Sequence, residues 1–201
     1  MASGERIGGI VLAGGSGTRF GGPKQIAELG GRPLLDYALE AAAAALDRVV
    51  LVLGARADEV RERVDLRGAE VVVCADWEGG MAETLKAGLR ALGDVDAAVV
   101  TLGDQPLVGA AAIERVLAAR DGDALAVRAT YDGEPGHPVV LERELFPRLL
   151  KLSGDVGARA VLASASVRVR SVPCEDVADR ADVDSPADLR RIEARLTGRA
   201  G

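Results

Sequence analysis

The stretch IGGIVLAGGSGTRFGGPKQ, residues 7–25, begins as an apolar run and continues as a glycine-rich loop that carries two cations. The run Ile7–Leu12 predicts a buried strand. The glycines after it allow the backbone to approach a ligand closely, and Arg19 and Lys24 indicate that this ligand is anionic. A loop after the first strand of an α/β sheet lies at the carboxyl edge, where such sheets bind ligands. The stretch therefore predicts an anion-binding loop at the edge of an α/β sheet.

On either side of this loop, short apolar runs alternate with helical patterns along the chain. Apolar strands separated by helices are typical of a parallel sheet that helices cover on both faces. After Thr130 the pattern changes, because residues 131–138 are rich in turn formers and Val139–Leu141 predicts an antiparallel piece. Ser185 predicts the N-cap of the last helix. The predicted strands are Ile7–Leu12, Arg48–Leu53, Val71–Cys74, Ala97–Leu102, Ala124–Ala129 and Val167–Val172, and the predicted helices are Pro33–Leu46, Ala57–Val64, Met81–Leu92, Gly109–Arg120, Arg143–Lys151, Val156–Ala163 and Pro186–Leu196.

Composition narrows the class of protein. The chain has 201 residues, enough for one domain with a sizeable core. A formal net charge of -6 and 2% aromatic residues argue against a general nucleic-acid binder, which needs a basic face or stacking platforms. Two cysteines and one histidine exclude the usual Cys/His zinc site. Met1–Arg6 lacks a signal-peptide pattern and no apolar run is long enough to span a membrane, so we expect a cytoplasmic protein without a membrane partner.

The glycine loop fits neither of the two commonest phosphate-binding templates. In the P-loop register from Gly17, Pro23 occupies the position of the required lysine. In the dinucleotide register, Phe20 stands where the third glycine is needed. The loop still has the features of a general phosphate-binding site. Its backbone N–H groups can form an anion cradle, Arg19 can bind phosphate oxygens in a bidentate manner, and Lys24 adds a point charge.

Residues 12–24 resemble the signature loop of the MobA-like NTP transferases, L-A-[AG]-G-x-S-x-R-[MF]-G-x-x-K, although Gly17 and Thr18 stand where Ser-x is common. The resemblance implies a Rossmann-like three-layer α/β sandwich of the nucleotide-diphospho-sugar transferase type, mostly parallel with one antiparallel strand. The set is closest to the molybdenum cofactor cytidylyltransferase branch of the family. The other segments that carry the resemblance are residues 76–81 (DWEGGM), 103–106 (GDQP), 136–138 (GHP), 153–159 (SGDVGAR) and 182–188 (DVDSPAD).

The resemblance implies a catalytic and metal-binding role for several charged residues. Arg19 would contact the β and γ phosphates, and Lys24 the α-phosphate, where charge develops. A contact of Lys24 with the incoming phosphate stays open. Asp104 follows a predicted strand and would hold Mg²⁺, with a capping or turn role as the alternative. Asp184 matches the second metal position best and Asp182 competes with it, while a capping or solvent-facing role stays open for both. The implied nucleotide-binding residues are Leu12, Ala13, Gly14, Gly15, Gly17, Gly79, Gly80 and Met81.

Three further segments have two interpretations each. The resemblance places His137 beside the acceptor substrate, whereas a lone histidine is often structural. The segment Ser153, Gly154 and Asp155 predicts a helix N-terminus, which either holds the phosphate of the acceptor or is a plain cap. Trp77, next to the glycine pair 79–80, is either part of a base or ribose pocket or an anchor of the core.

The resemblance implies a nucleotidyltransferase that transfers CMP from CTP to the phosphate of molybdopterin, or its molybdenum form, and releases pyrophosphate. In a single domain of residues 1–201, about 1–108 would bind the NTP and about 109–201 the acceptor. GTP stays open, because the LAGG form with Gly14 is more typical of the guanylyl branch whereas GDQP favours the cytidylyl branch. Sugar-1-phosphate transfer is a third possibility, less favoured because the chain has little room for a sugar-binding insertion. Outside the enzymes, an accessory protein that delivers the cofactor to a molybdoenzyme is the alternative.

Overall fold

Strands and helices alternate along the chain. A computed structural model describes residues 4–155 and 157–198. The strands are β1 (Ile7–Ala13), β2 (Glu28–Leu29), β3 (Arg32–Pro33), β4 (Val49–Leu53), β5 (Glu70–Val73), β6 (Ala97–Leu102), β7 (Ala126–Tyr131), β8 (Glu134–Glu142) and β9 (Val169–Pro173). The helices are α1 (Leu34–Ala45), α2 (Ala57–Arg63), α3 (Met81–Leu92), α4 (Ala110–Ala118), α5 (Phe146–Leu149), α6 (Arg159–Leu162) and α7 (Pro186–Gly198), with 3-10 turns at Lys24–Ile26, Trp77–Gly79 and Arg143–Leu145.

Seven of these strands pair into one sheet in the order β5-β4-β1-β6-β8-β7-β9, and β2 pairs with β3 in a separate hairpin. Strands β5, β4, β1 and β6 run parallel to one another. Strand β8 is antiparallel to both of its neighbours, β6 and β7, and β7 pairs in parallel with β9. The prediction of a mostly parallel sheet with one antiparallel strand is therefore confirmed.

Helices cover both faces of the sheet, because strands such as β1 are apolar on each side. Ile10 and Leu12 of β1 pack on the face that α3 and α5 cover. Val11 and Ala13 of β1 pack on the opposite face against α1 and α2, and α4 lies further along that face. This arrangement is the predicted three-layer sandwich. Within the described residues, no helix is long and apolar enough to cross a membrane.

The carboxyl ends of β1, β4 and β6 meet at one edge of the sheet. The N–H of Gly103, after β6, donates to the carbonyl of Leu12 in β1 at 2.9 Å. A Cβ at Gly54, after β4, would lie 2.2 Å from the carbonyl oxygen of Gly14, after β1. Close packing of three glycine-containing turns therefore brings the first glycine loop next to the segment that carries Asp104.

The turn-rich segment before Val139 is part of a strand, contrary to the sequence prediction. Strand β8 begins at Glu134, because Asp132 and Gly133 (φ of 52° and 82°) form a two-residue hairpin turn that pairs β7 with β8. The register then shifts, so that residues 136–138 oppose Ala129, and the peptide between His137 and Pro138 is cis. Glycine and proline signals in this segment thus mark a bulge rather than a loop.

The helix predicted over 156–163 is shorter than expected, and Val156 itself lies outside the described residues. Helix α6 spans only Arg159–Leu162, because Gly154 and Gly157 have φ values of 78° and 51°, which a helix does not contain. The helix predicted over 143–151 is a 3-10 turn followed by the short helix α5. The strand predicted at 124–129 begins two residues later, because Asp121 accepts hydrogen bonds from the N–H groups of residues 123 and 124 in a turn.

Candidate active site

The glycine loop after β1 is closed by its own backbone. The carbonyl of Gly17 accepts hydrogen bonds from the N–H groups of Phe20, Gly21 and Gly22 at 3.0–3.3 Å. Gly17 has a φ of 68°, and a Cβ there would lie 1.9 Å from the carbonyl oxygen of Gly22. Within the described part of the chain, the N–H groups of residues 15–19 donate to no protein acceptor. The closed turn therefore leaves these N–H groups available to an anion.

Gln25 fixes this loop, and sequence reasoning assigned it no role. Its buried Nε2 donates to the carbonyl oxygens of Ala13 at 2.8 Å and Gly15 at 3.1 Å. Its Oε1 is buried without a hydrogen-bond partner among the described residues. The role of Gln25 follows from its burial next to the glycine loop, and this burial cannot be known before the fold is known.

Lys24 joins two carboxylates from distant parts of the chain. Its Nζ donates to Oδ2 of Asp104 at 2.7 Å and to Oδ1 of Asp184 at 3.0 Å. The Lys24 side chain is 15% exposed, Asp104 25% and Asp184 40%. Burial alone would lower the pKa of Lys24, but the charges and hydrogen bonds of the two aspartates raise it above its ordinary value. The ammonium therefore stays charged at neutral pH.

Arg19 reaches the same cluster from solvent. Its Nη1 donates to Oδ2 of Asp184 at 3.0 Å, and its side chain is 80% exposed. An exposed arginine has the reach and freedom to bind phosphate oxygens at the opening of the site. The residues predicted as catalytic, Arg19, Lys24 and Asp104, thus lie together.

Asp184, and not Asp182, faces Lys24. The carboxylate of Asp182 accepts a hydrogen bond from Nε2 of Gln105 at 2.7 Å, and burial raises its pKa. The N–H of Val183 donates to the carbonyl of Asp104 at 3.0 Å, which ties the two segments together. Gln105 and Asp182 therefore position Asp184 next to Asp104.

Helix α7 fixes the other side of Asp184. The Oγ of Ser185 accepts the N–H of Asp188 at 3.3 Å, and the carboxylate of Asp188 accepts the N–H of Ser185 at 2.9 Å. This reciprocal pair is a capping box, so the predicted N-cap is confirmed. The N–H of Asp184 also donates to Asp188, at 3.3 Å.

A cavity of about 700 Å³ opens over these residues. Its lining includes all the residues predicted to bind nucleotide, together with Arg19, Lys24, Asp104 and Asp184. Trp77 and the rest of its 3-10 turn line the cavity. Trp77 also packs against the core, and a Cβ at Gly54 would lie 2.7 Å from the Cβ of Trp77. Trp77 therefore anchors the wall of the cavity to the core, and its part in a base or ribose pocket stays a prediction.

Ser153, Gly154 and Asp155 are not a helix N-terminus, contrary to the sequence prediction. The N–H of Met81 donates to Oδ1 of Asp155 at 3.2 Å, and the N–H of Ala82 donates to the carbonyl of Gly154 at 3.1 Å. The segment therefore closes the beginning of α3. Gly154 and Asp155 line the first cavity, whereas Ser153 lines neither this cavity nor the second one described below.

A second cavity, of about 1340 Å³, lies beside the first and shares Met81, Leu102 and Asp155 with it. His137 lines this cavity, and burial lowers its pKa to about 4 despite the opposing charge of Asp104. The imidazole is therefore neutral at pH 7. Five arginines also line the cavity: Arg128, Arg159, Arg180, Arg191 and Arg195.

The donor set of the first cavity fits a hard divalent cation. Within residues 4–155 and 157–198, no group of three or more His, Cys, Asp or Glu side chains could hold a metal ion. Asp104 and Asp184 supply two carboxylates. Two carboxylates, completed by phosphate oxygens and water, suit Mg²⁺ or Mn²⁺ and do not suit a closed zinc site.

An open glycine loop, two carboxylates and an adjacent second cavity at the carboxyl edge of a mostly parallel sheet fit the class of nucleotidyltransferases. The family model of the MobA-like NTP transferase domain matches residues 9–170, and the chain belongs to that family.

Three proteins similar to this chain illustrate the range of the family. Nicotine blue oxidoreductase of Paenarthrobacter nicotinovorans is 33% identical over 92% of this chain and 95% of its own length. Rv0371c of Mycobacterium tuberculosis, solved in complex with manganese, is 30% identical with a TM-score of 0.80 and covers 94% of this chain and 98% of its own. The molybdenum cofactor cytidylyltransferase of Escherichia coli is 23% identical over 94% of this chain and 96% of its own.

Proposed function

We propose that the protein is a Mg²⁺-dependent nucleotidyltransferase that transfers CMP from CTP to the phosphate of molybdopterin or its molybdenum form. The observation that carries the proposal is the cluster of Lys24, Asp104 and Asp184 beside the glycine loop, in a cavity that adjoins a second one. Membership of the family supports nucleotidyl transfer, and the relative in Escherichia coli supports the acceptor. GTP is the alternative donor, because Gly14 gives the loop its LAGG form.

The reaction joins two anions, so positioning and cations carry most of the catalysis. A phosphate oxygen of the acceptor attacks the α-phosphorus of the NTP and forms a new P–O bond. The bond from the α-phosphorus to the bridging oxygen breaks, and pyrophosphate leaves with the electron pair. In this proposal the N–H groups of residues 15–19 hold phosphate oxygens, Arg19 contacts the β and γ groups, and Lys24 contacts the α group.

Asp104 and Asp184 would hold the Mg²⁺ ion, which neutralises phosphate charge when it is bound. Asp182 is assigned a positioning role, because its carboxylate is held by Gln105 rather than facing Lys24. We assign the second cavity to the acceptor. There the N–H of the neutral His137 imidazole can donate a hydrogen bond to an oxygen of a bound phosphate ester without adding charge. Asp155 lines both cavities and Gly154 lines the first, so we place them near the boundary between the two substrates.

A panel of the four NTPs with Mg²⁺ and molybdopterin tests the proposal. We expect pyrophosphate release to be fastest with CTP, and the Asp104→Ala variant to release none above background. Dominant activity with GTP would correct the base and leave the rest of the proposal intact. Full activity in the Asp104→Ala variant would overturn the metal assignment.

A second candidate, an oxidoreductase, is favoured by the relative from Paenarthrobacter nicotinovorans. Hydride transfer does not require two carboxylates around a lysine. We therefore rank the oxidoreductase below the nucleotidyltransferase. Binding of NADPH with no binding of any NTP in calorimetry would favour it. Mg²⁺-independent NTP binding without pyrophosphate release would instead favour an accessory protein for a molybdoenzyme.

A further inference from the structure

Lys24 lies between Asp104 and Asp184, the two carboxylates that the proposed function assigns to a divalent cation. Its Nζ lies 2.7 Å from one carboxylate and 3.0 Å from the other, both normal lengths for a charge-assisted hydrogen bond. The two aspartates belong to different segments, after β6 and before α7, and like charges at this separation repel. The ammonium therefore acts as the counter-ion that keeps the two carboxylates together.

The ion pairs of this cluster balance one another without a metal ion. Two carboxylates, Asp104 and Asp184, face two cations, Lys24 and Arg19, and each cation contacts at least one of them. A divalent cation that approaches these carboxylates meets oxygens whose charge is already compensated. Affinity for the metal alone is thereby reduced, because cation and ammonium compete for the same oxygens.

We propose that Lys24 competes with the divalent cation for Asp104 and Asp184, and that nucleotide phosphates relieve this competition by giving Lys24 and Arg19 new partners. Lys24 then leaves the carboxylates and turns to the phosphates, so that metal and nucleotide bind with positive coupling. This inference rests on the proposed function, since it assumes that the site takes an NTP. It assigns Lys24 a second task, which is to keep the metal from binding tightly before the nucleotide arrives.

Binding of Mn²⁺ alone, measured by electron paramagnetic resonance of the free ion, tests the inference on the full chain. The Lys24→Met variant should bind Mn²⁺ about tenfold more tightly than the unmodified protein in the absence of nucleotide. Lys24→Arg keeps the charge and should stay within about twofold of it. Arg32→Gln removes a cation from a separate ion pair with Glu40 and controls for net charge, so it should change nothing.

Unchanged or weaker Mn²⁺ binding in a folded Lys24→Met variant would overturn the inference, as would an equal gain in Lys24→Arg. Lys24→Gln replaces Lys24→Met if circular dichroism shows that the latter does not fold. None of these measurements needs turnover. If the NTP panel shows no pyrophosphate release while Lys24→Met gains affinity for Mn²⁺, the proposed reaction fails and the competition stands.

Discussion

Lys24 reaches both aspartates from a 3-10 turn that directly follows the glycine loop. This short turn keeps the ammonium at a fixed distance from the loop, which the flexible lysine stem alone does not ensure. The same side chain therefore connects the phosphate cradle to the carboxylates. The Lys24→Met substitution therefore changes both catalysis and metal affinity, and each effect needs its own measurement.

For catalysis, Lys24→Met should lower kcat/KM for nucleotidyl transfer by roughly 10²–10³, the usual effect of losing a charge that stabilises a transition state. Steady-state pyrophosphate release measures this, with Arg32→Gln as the control for charge. A loss of less than about threefold would show that Lys24 does not contact the reacting phosphate.

His137 should make the protein less stable in acid. Its folded pKa of about 4 lies below the unfolded value of roughly 6.5, so the unfolded chain binds the proton first. The stability that this difference supplies is present above about pH 6.5 and is lost as the pH falls towards 4. Between pH 7 and pH 5 we expect His137 to account for a loss of about 1–2 kcal/mol in the free energy of unfolding.

Urea unfolding at pH 7 and pH 5 checks this, with His137→Gln as the matched variant. The variant should show a smaller loss of stability between the two values of pH. An identical loss in both proteins would mean that His137 is not desolvated as the structure indicates.

At the scale of elements, the glycine loop depends on one backbone conformation. Gly17→Ala places a Cβ 1.9 Å from the carbonyl oxygen of Gly22 at a φ of 68°, so the turn must open. The open turn no longer presents the N–H groups of residues 15–19 together. We expect NTP affinity to fall at least tenfold in calorimetry, a cost of about 1.4 kcal/mol.

Gly22→Ala is the control for this substitution. A Cβ at Gly22 meets no atom within 4 Å, and its φ is not positive. Its NTP affinity should match that of the unmodified protein. Equal affinity in Gly17→Ala would contradict the assignment of this loop to the phosphates.

Elements with a simple apolar pattern were predicted well from the sequence. Strands β1, β4 and β6 lie within one residue of their predicted bounds. Parallel strands that are buried on both faces have continuous apolar sequences, which are easy to recognise. Strand β8 was missed at its start, because its pairing depends on the hairpin turn at Asp132 and Gly133. The short helix α6 was overestimated, because the φ of Gly157 cannot be read from sequence.

At the scale of the whole molecule, the sequence predicts which charged residues form the candidate site, but it does not predict the contacts that hold them in place. The motifs named Arg19, Lys24, Asp104 and Asp184, and the fold brings them to one cavity. The tertiary contacts of Gln25, Gln105 and Asp155 involve partners 10 to 77 residues away in the chain. Such contacts cannot be predicted from local sequence, because they form only when folding brings these segments together at the edge of the sheet. The roles of these residues, the division into two substrate-binding halves and a cytoplasmic location stay predictions.

In the proposed reaction, the protein transfers a nucleotidyl group to a phosphate acceptor. The most direct test incubates the protein with CTP labelled in its α-phosphate, Mg²⁺ and molybdopterin, and separates the products by chromatography. We predict that the label moves to a molybdopterin–cytidine dinucleotide and that unlabelled pyrophosphate forms in equal amount. Label that stays in CTP, with GTP labelled in the same way also unreacted, would contradict the account.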